Sequence, residues 1–205
     1  MLFFALIQSA RIPPNCSFEV DDFESNWVYS RHFDYIHGRE LAGSVENFDR
    51  LFTQAYNNLK PGGYLEMQSF RIELFSENNN LEKLDKYTEW IQLLHEASAR
   101  FGKVMTNMDD WPNMMSDAGF RDIKIDIIKV PMSPWPNGQM QKEIGEFMEI
   151  ELRQALHSYT LALFCRVLDW RKKNVDALLA SVKAELKDCS LKLYSKLYIV
   201  YGRKP

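Results

Sequence analysis

The stretch from residue 33 to residue 70 restricts the fold more than any other part of the chain. Phe33-Asp34-Tyr35-Ile36-His37 is rich in β-formers and ends at Gly38. Phe48, Leu51, Phe52, Ala55 and Leu59 then recur at helical spacing, which predicts an amphipathic helix over 44–59. Ser44 is its expected N-cap, and Glu46 stands in its first turn. Lys60-Pro61-Gly62-Gly63 stops that helix, and Tyr64-Leu65-Glu66-Met67-Gln68-Ser69-Phe70 reads as a second strand. A helix joining two strands is the βαβ unit, whose strands lie parallel with a right-handed crossover. The chain is therefore expected to build an α/β sheet with helical cover.

The rest of the chain continues the alternation. Residues 2–8 form a short apolar run of β character, and the chain breaks at Arg11-Ile12-Pro13-Pro14-Asn15. Residues 16–20 read as a strand ending at Asp21-Asp22. A helix is expected over 81–101 with Gly102 as its stop. A shorter one is expected over 110–118, with Asp109 or Asp110 as cap, Pro112 in the first turn and Gly119 at the end. Ile123, Ile125 and Ile127 alternate with polar residues in a strand that ends at Pro131. Helices over 140–168 and 175–187, the latter capped by Asn174, precede a last strand over 193–201. With 205 residues, this is a single domain spanning 1–205.

Composition removes several functional classes. A net charge of −3 gives no general attraction to nucleic acid or anionic membrane, and the densest basic run is only Arg171-Lys172-Lys173. The apolar start, Met1 to Ile7, has no basic residue before it and is too short to span a bilayer, so it reads as a buried strand. Cys16, Cys165 and Cys189 form no CxxC pair and no metal-ligand spacing, so no metal site is expected. Sparse, odd-numbered thiols suit a reducing compartment, cytoplasmic or nuclear. The five tryptophans and the Met114-Met115 pair read as core packing.

Three segments carry a resemblance. The first is Pro13-Pro14-Asn15-Cys16-Ser17-Phe18-Glu19-Val20-Asp21-Asp22-Phe23-Glu24. The second is Phe33 to Leu41, leading through the helix into Leu59-Lys60-Pro61-Gly62-Gly63-Tyr64-Leu65-Glu66. The third is Leu197-Tyr198-Ile199-Val200-Tyr201-Gly202-Arg203-Lys204-Pro205. In order and spacing they resemble the fungal S-adenosylmethionine-dependent methyltransferase family that includes the velvet-associated regulator of secondary metabolism. The resemblance implies a Rossmann-like class I methyltransferase fold with strand order 3-2-1-4-5-7-6. Strands 16–20, 33–37, 64–70, 122–130 and 193–201 would be the third to the seventh, and residues 139–188 a helical lid inserted before the last strand.

The resemblance also implies a site. The acidic residue after the third strand, Asp22 with Asp21 beside it, would accept from the cofactor's adenine, and Phe23 would offer its backbone N–H. His37, Gly38 and Arg39, at the end of the fourth strand, would lie against the cofactor. His37 is either a general base or, as lone histidines more often are, structural. Glu66 and Gln68, assigned to opposite faces of their strand or its end, are candidate substrate contacts. No catalytic side chain is singled out, because the sulfonium is already activated and alignment supplies most of the rate. The methyl acceptor would be a small molecule or a protein.

One expected feature is missing. The family's cofactor loop is a glycine-rich turn after its first strand, but the nine glycines here are scattered and only Gly62-Gly63 are adjacent. Residues 2–8, at the place of the second strand, carry no carboxylate for the ribose. The expectation is an N-terminally truncated fold without the first strand, in which 33–205 keeps the family arrangement and 1–30 is displaced. The fourth strand's exposed edge would then invite a protein partner. A non-catalytic, methyltransferase-like regulatory or complex-forming protein is the competing reading. A nicotinamide oxidoreductase is disfavoured because no GxGxxG occurs.

Overall fold

A computed structural model describes residues 13–19, 21–105 and 107–205. The predicted βαβ unit is present as β1 (Phe33–Arg39), α1 (Phe48–Asn58) and β2 (Leu59–Phe70). There follow β3 (Phe75–Ser76), α2 (Asp85–Phe101), α3 (Trp111–Asp117) and β4 (Arg121–Pro131). Helices α4 (Gln139–Arg166) and α5 (Lys172–Glu185) precede β5 (Leu193–Arg203).

β1 and β2 pair in parallel, with His37 opposite Glu66 and Gly38 opposite Met67. β5 runs antiparallel to β2 on one side and to β4 on the other, so the order is β1-β2-β5-β4, with short β3 joined to the start of β5. This is the 4-5-7-6 half of the expected order. Among the described residues, no strand pairs with the outer edge of β1.

Several boundaries differ from the sequence reading. Residues 16–19 form no strand. The two prolines instead set a turn, with the Cys16 N–H donating to the Pro13 carbonyl at 2.9 Å, and no described strand offers them a ladder. The strand expected at 2–8 lies outside the described residues. Helix α1 begins at Phe48, because Asn47 rather than Ser44 caps it, accepting from the Arg50 N–H at 2.8 Å. Asp110 precedes α3 without a side-chain cap, and Arg171 rather than Asn174 precedes α5. β2 begins at Leu59, so Lys60-Pro61-Gly62-Gly63 is a bulge within the strand rather than a turn before it. The register slips between Phe33 and Tyr35, and Gly62 takes φ +83, which a side chain would strain.

Two cores hold the chain. One lies between the sheet and helices α1 and α3, built from Phe48, Phe52, Leu65, Met67, Trp111 and Phe120. The other joins α2, α4 and α5 beyond the strand ends, around Trp90, Leu94, Leu156, Phe164 and Leu179. Each such side chain contributes about 1.5–3 kcal/mol on burial. Trp90, Trp111 and Met115 are fully buried, as core residues should be. Tyr35, His37 and Tyr64 stay exposed on the sheet's other face.

Candidate functional site at the carboxyl ends of the parallel strands

In parallel sheets ligands gather beyond the carboxyl ends of the strands. β1 and β2 both end at Arg39 and Phe70 on the same side, and cavities open there.

The first is a mainly apolar hollow of about 220 Å³ beside β1, whose lining includes Phe23, Trp27, His37, Gly38 and Arg39. Phe23 and Trp27 are fixed by the Trp27 indole N–H donating to the Phe23 carbonyl at 2.8 Å and the Trp27 backbone N–H donating to Gln54 Oε1 at 3.0 Å. Glu24 receives the Glu46 N–H at 2.6 Å and the Lys103 ammonium, and Lys103 also reaches the Ser44 carbonyl at 2.9 Å. The structure thus brings Phe23, His37, Gly38 and Arg39 together.

Asp21 and Asp22 stay apart from them. They stand in an exposed turn, where Asp21 Oδ1 accepts the Asp22 N–H at 2.8 Å and Asp22 Oδ1 accepts the Glu24 N–H at 3.0 Å. Gly38 faces the core. A Cβ there would come 2.7 Å from the Met67 sulfur. His37 stacks on Tyr35 at 6.2 Å between ring centres, with Nε2 3.8 Å from Glu66 Oε1. Glu66 and Gln68 share one face, since Gln68 Nε2 donates to Glu66 Oε1 at 2.7 Å, as residues two apart in a strand must. Desolvation first, and the nearby Glu66 second, raise the Tyr35 phenol above its ordinary range.

Two further cavities, about 190 and 320 Å³, lie beyond β2 and share Glu40, Phe70, Arg71, Ile72 and Tyr159 in their walls. Glu40 holds φ 52, an uncommon conformation for a side-chain-bearing residue. Its carboxylate accepts the Phe70 N–H at 3.2 Å and the Ser69 hydroxyl at 3.4 Å. Desolvation by the walls raises its pKa, against those two hydrogen bonds. Arg71 donates through Nε to Glu73 at 3.1 Å, and through Nη1 to Asp109 at 3.0 Å and to the Tyr198 hydroxyl at 3.3 Å. Glu73 in turn contacts His95 Nε2 at 2.9 Å. The His95 hydrogen bond above all, helped by a backbone N–H and by Arg71, holds the Glu73 carboxyl down to about 2 in spite of its burial.

Sequence reasoning missed this second group. One signal was present. His95 follows Ile91 by four residues and precedes Ser98 by three, a polar residue on the inward stripe of α2. Arg71 and Glu73 lie in an irregular segment whose pairing only the folded chain reveals.

A parallel pair, a final strand inserted antiparallel beside it, and cavities beyond the carboxyl ends define a Rossmann-like methyltransferase fold. The methyltransferase domain family matches residues 5–125, and the chain belongs to that family. It is 30% identical over 199 residues to methyltransferase pytC of Aspergillus terreus, covering 97% of this chain and 61% of that one. It is 32% identical over 203 residues to the secondary metabolism regulator LAE1 of Cochliobolus heterostrophus, covering 97% of this chain and 66% of that one. The chain thus spans less than two thirds of these relatives. A solved structure from Anabaena variabilis, described as a methyltransferase of an antibiotic biosynthesis pathway, shares the fold. Its TM-score is 0.57 at 12% identity, covering 94% of this chain and 75% of that one.

S-adenosylmethionine asks a protein for an apolar seat, for acceptors facing its adenine amino group and ribose hydroxyls, and for a clamp on its amino-acid end. The described residues fit the first demand, through the hollow beside β1. They do not meet the others: the Asp21 and Asp22 carboxylates are engaged in their own turn. Among the described residues, no group of three or more His, Cys, Asp or Glu could hold a metal, and no helix is long and apolar enough to cross a membrane.

Proposed function

We propose that this chain is a methyltransferase module of fungal secondary metabolism. It seats S-adenosylmethionine against the end of β1 and a small-molecule acceptor in the cavities beyond β2. The observation that carries this reading is the adjacency of the two: Arg39 lines both the hollow beside β1 and the larger cavity beyond β2. Phe23, His37, Gly38 and Arg39 would form the cofactor's seat, and Asp21 and Asp22 would turn inward to accept from its adenine. When bound, the cofactor supplies a methyl group on a sulfonium. The chain's own part is to orient the acceptor and exclude water. Helices α4 and α5, within 139–188, serve as the lid, since Tyr159 of α4 walls both outer cavities. The size of these cavities favours a small molecule over a protein as acceptor. The three free cysteines suit a cytoplasmic or nuclear place of action.

A second reading has its own support. The outer edge of β1 is unpaired among the described residues, which favours a non-catalytic module that docks a partner's strand there. Isothermal titration with S-adenosylmethionine and S-adenosylhomocysteine separates the two. Saturable one-to-one heat is expected. A folded sample that gives no heat with either would discard the first reading and leave the second.

A further inference from the structure

The chain Arg71–Glu73–His95 is a built feature that the cofactor seat does not use. Arg71 holds Glu73 from one side, at 3.1 Å, and Glu73 holds His95 Nε2 from the other, at 2.9 Å. A carboxylate kept ionised fixes the hydrogen of the imidazole on the nitrogen it faces, here Nε2. That leaves Nδ1 with its lone pair, and among the described residues no partner occupies it. His95, Arg71 and Glu73 all line the smaller cavity. An oriented imidazole in a cavity wall, with one ring nitrogen unengaged, is the arrangement of a general base.

The other charges around it select the substrate. Glu40 and Tyr159 stand in the cavity wall, while Asp109 and the Tyr198 hydroxyl are engaged by Arg71 Nη1. Arg71 Nη2 has no hydrogen-bonding partner among the described residues. Arg71 is held between the Glu73 and Asp109 carboxylates, so its contribution is local: the unengaged Nη2 can donate to an oxygen that becomes negative on losing its proton. The larger cavity adds an apolar flank of Ile72, Leu74, Met132, Met148 and Leu152.

We propose that His95 is the proton acceptor of this cavity, positioned by Glu73 and Arg71, for a small molecule bearing an acidic hydroxyl, a phenol or enol, on an apolar body. The O–H bond breaks, its electron pair stays on oxygen, and the proton forms a new N–H bond at Nδ1. Glu73 stabilises the imidazolium, and Arg71 faces the oxyanion. The inference rests on the methyltransferase reading only for the fate of that oxyanion, which there becomes the methyl acceptor.

The test needs no cofactor. 4-Nitrophenol, whose phenol and phenolate absorb differently, is bound to the intact chain at fixed pH, with occupancy measured by equilibrium dialysis. The bound probe should show a phenolate-to-phenol ratio about threefold or more above that of free probe. His95→Asn and Glu73→Gln should each return the ratio to the free value, while 4-nitroanisole, which has no proton to give, binds wild type and His95→Asn alike. Glu73→Gln keeps the imidazole, so it stays informative if His95→Asn does not fold. No binding by wild type, an unchanged ratio, or a raised ratio that survives both substitutions overturns the proposal. Titration with S-adenosylhomocysteine on the same samples reports separately on the methyltransferase reading, so either can fail without the other.

Discussion

The Lys204 ammonium closes the end of α1 by donating to the Tyr56 carbonyl at 2.7 Å and the Leu59 carbonyl at 2.8 Å, and it sits 4.7 Å from the centre of the Tyr56 ring. Helix carbonyls at a C-terminus lack intrahelical donors, and the helix end is negative, so a cation there is doubly suited. The terminal Gly-Arg-Lys-Pro run, which in the sequence marks the family, thus also has a structural role, because it ties the end of β5 to the βαβ unit. Lys204→Met keeps the aliphatic stem and loses the charge. It should cost about 1–2 kcal/mol, read from the denaturant midpoint. An unchanged midpoint would mean that water serves those carbonyls equally well.

The helical layer has a comparable joint. The Trp90 indole donates to Thr160 Oγ1 at 2.7 Å, linking α2 to α4, and both residues are buried. Thr160→Val keeps the shape and strands a buried N–H, at a cost of about 1–3 kcal/mol. Thr160→Ser, which keeps the hydroxyl, should lose clearly less. Equal losses in the two variants would show that packing, not the hydrogen bond, sets the stability there.

Acid should weaken the fold in a defined window. Glu24 is held below its ordinary value of 4.5 by Lys103 first and then by the Glu46 N–H, and Glu73 is held at about 2 by His95 first. Carboxyls lowered by folding add stability that is fully present above the unfolded value and is lost as the pH falls through the folded value. Stability should therefore drop as the pH falls from about 4.5 toward about 2. Glu40 has the opposite sign. Its raised carboxyl favours the folded state below the unfolded value and withdraws that gain as the pH rises through the folded one. Denaturant midpoints taken across this range should fall less steeply for Glu73→Gln than for wild type, and parallel curves would contradict the assignment.

How much could be read from sequence follows from the range of the forces involved. The βαβ unit was legible because periodicity and breakers are local, and so was α2, which ends at Gly102 as expected. Of the strand expected at 16–20, the described residues 16–19 form none, because a strand needs a neighbour and β-propensity at Phe18 cannot supply one. The cap of α1 was misplaced by three residues, since Ser44 and Asn47 are both good caps and only the chain's approach decides between them. Phe23, His37, Gly38 and Arg39, which only the resemblance singles out, line one hollow. The Arg71–Glu73–His95 chain joins a strand end to a helix more than twenty residues away and left only the misplaced polarity of His95 as a trace.

Gly38, which the resemblance sets against the cofactor, also serves packing: the Met67 sulfur would lie 2.7 Å from an added Cβ and its methyl 3.0 Å away. Leu41 Cδ1 closes the same space at 3.1 Å. Met67 is flexible enough to yield, so Gly38→Ala should cost about 1–3 kcal/mol rather than unfold the protein. Met67→Ala alone leaves a cavity and should cost about 2–5 kcal/mol. The informative quantity is the coupling between them. If packing is what Gly38 serves, adding Gly38→Ala to Met67→Ala should cost much less than adding it to wild type, because the clashing atoms are gone. Strictly additive losses, measured from the four denaturation curves of that cycle, would mean that the backbone at Gly38 is constrained by something other than Met67.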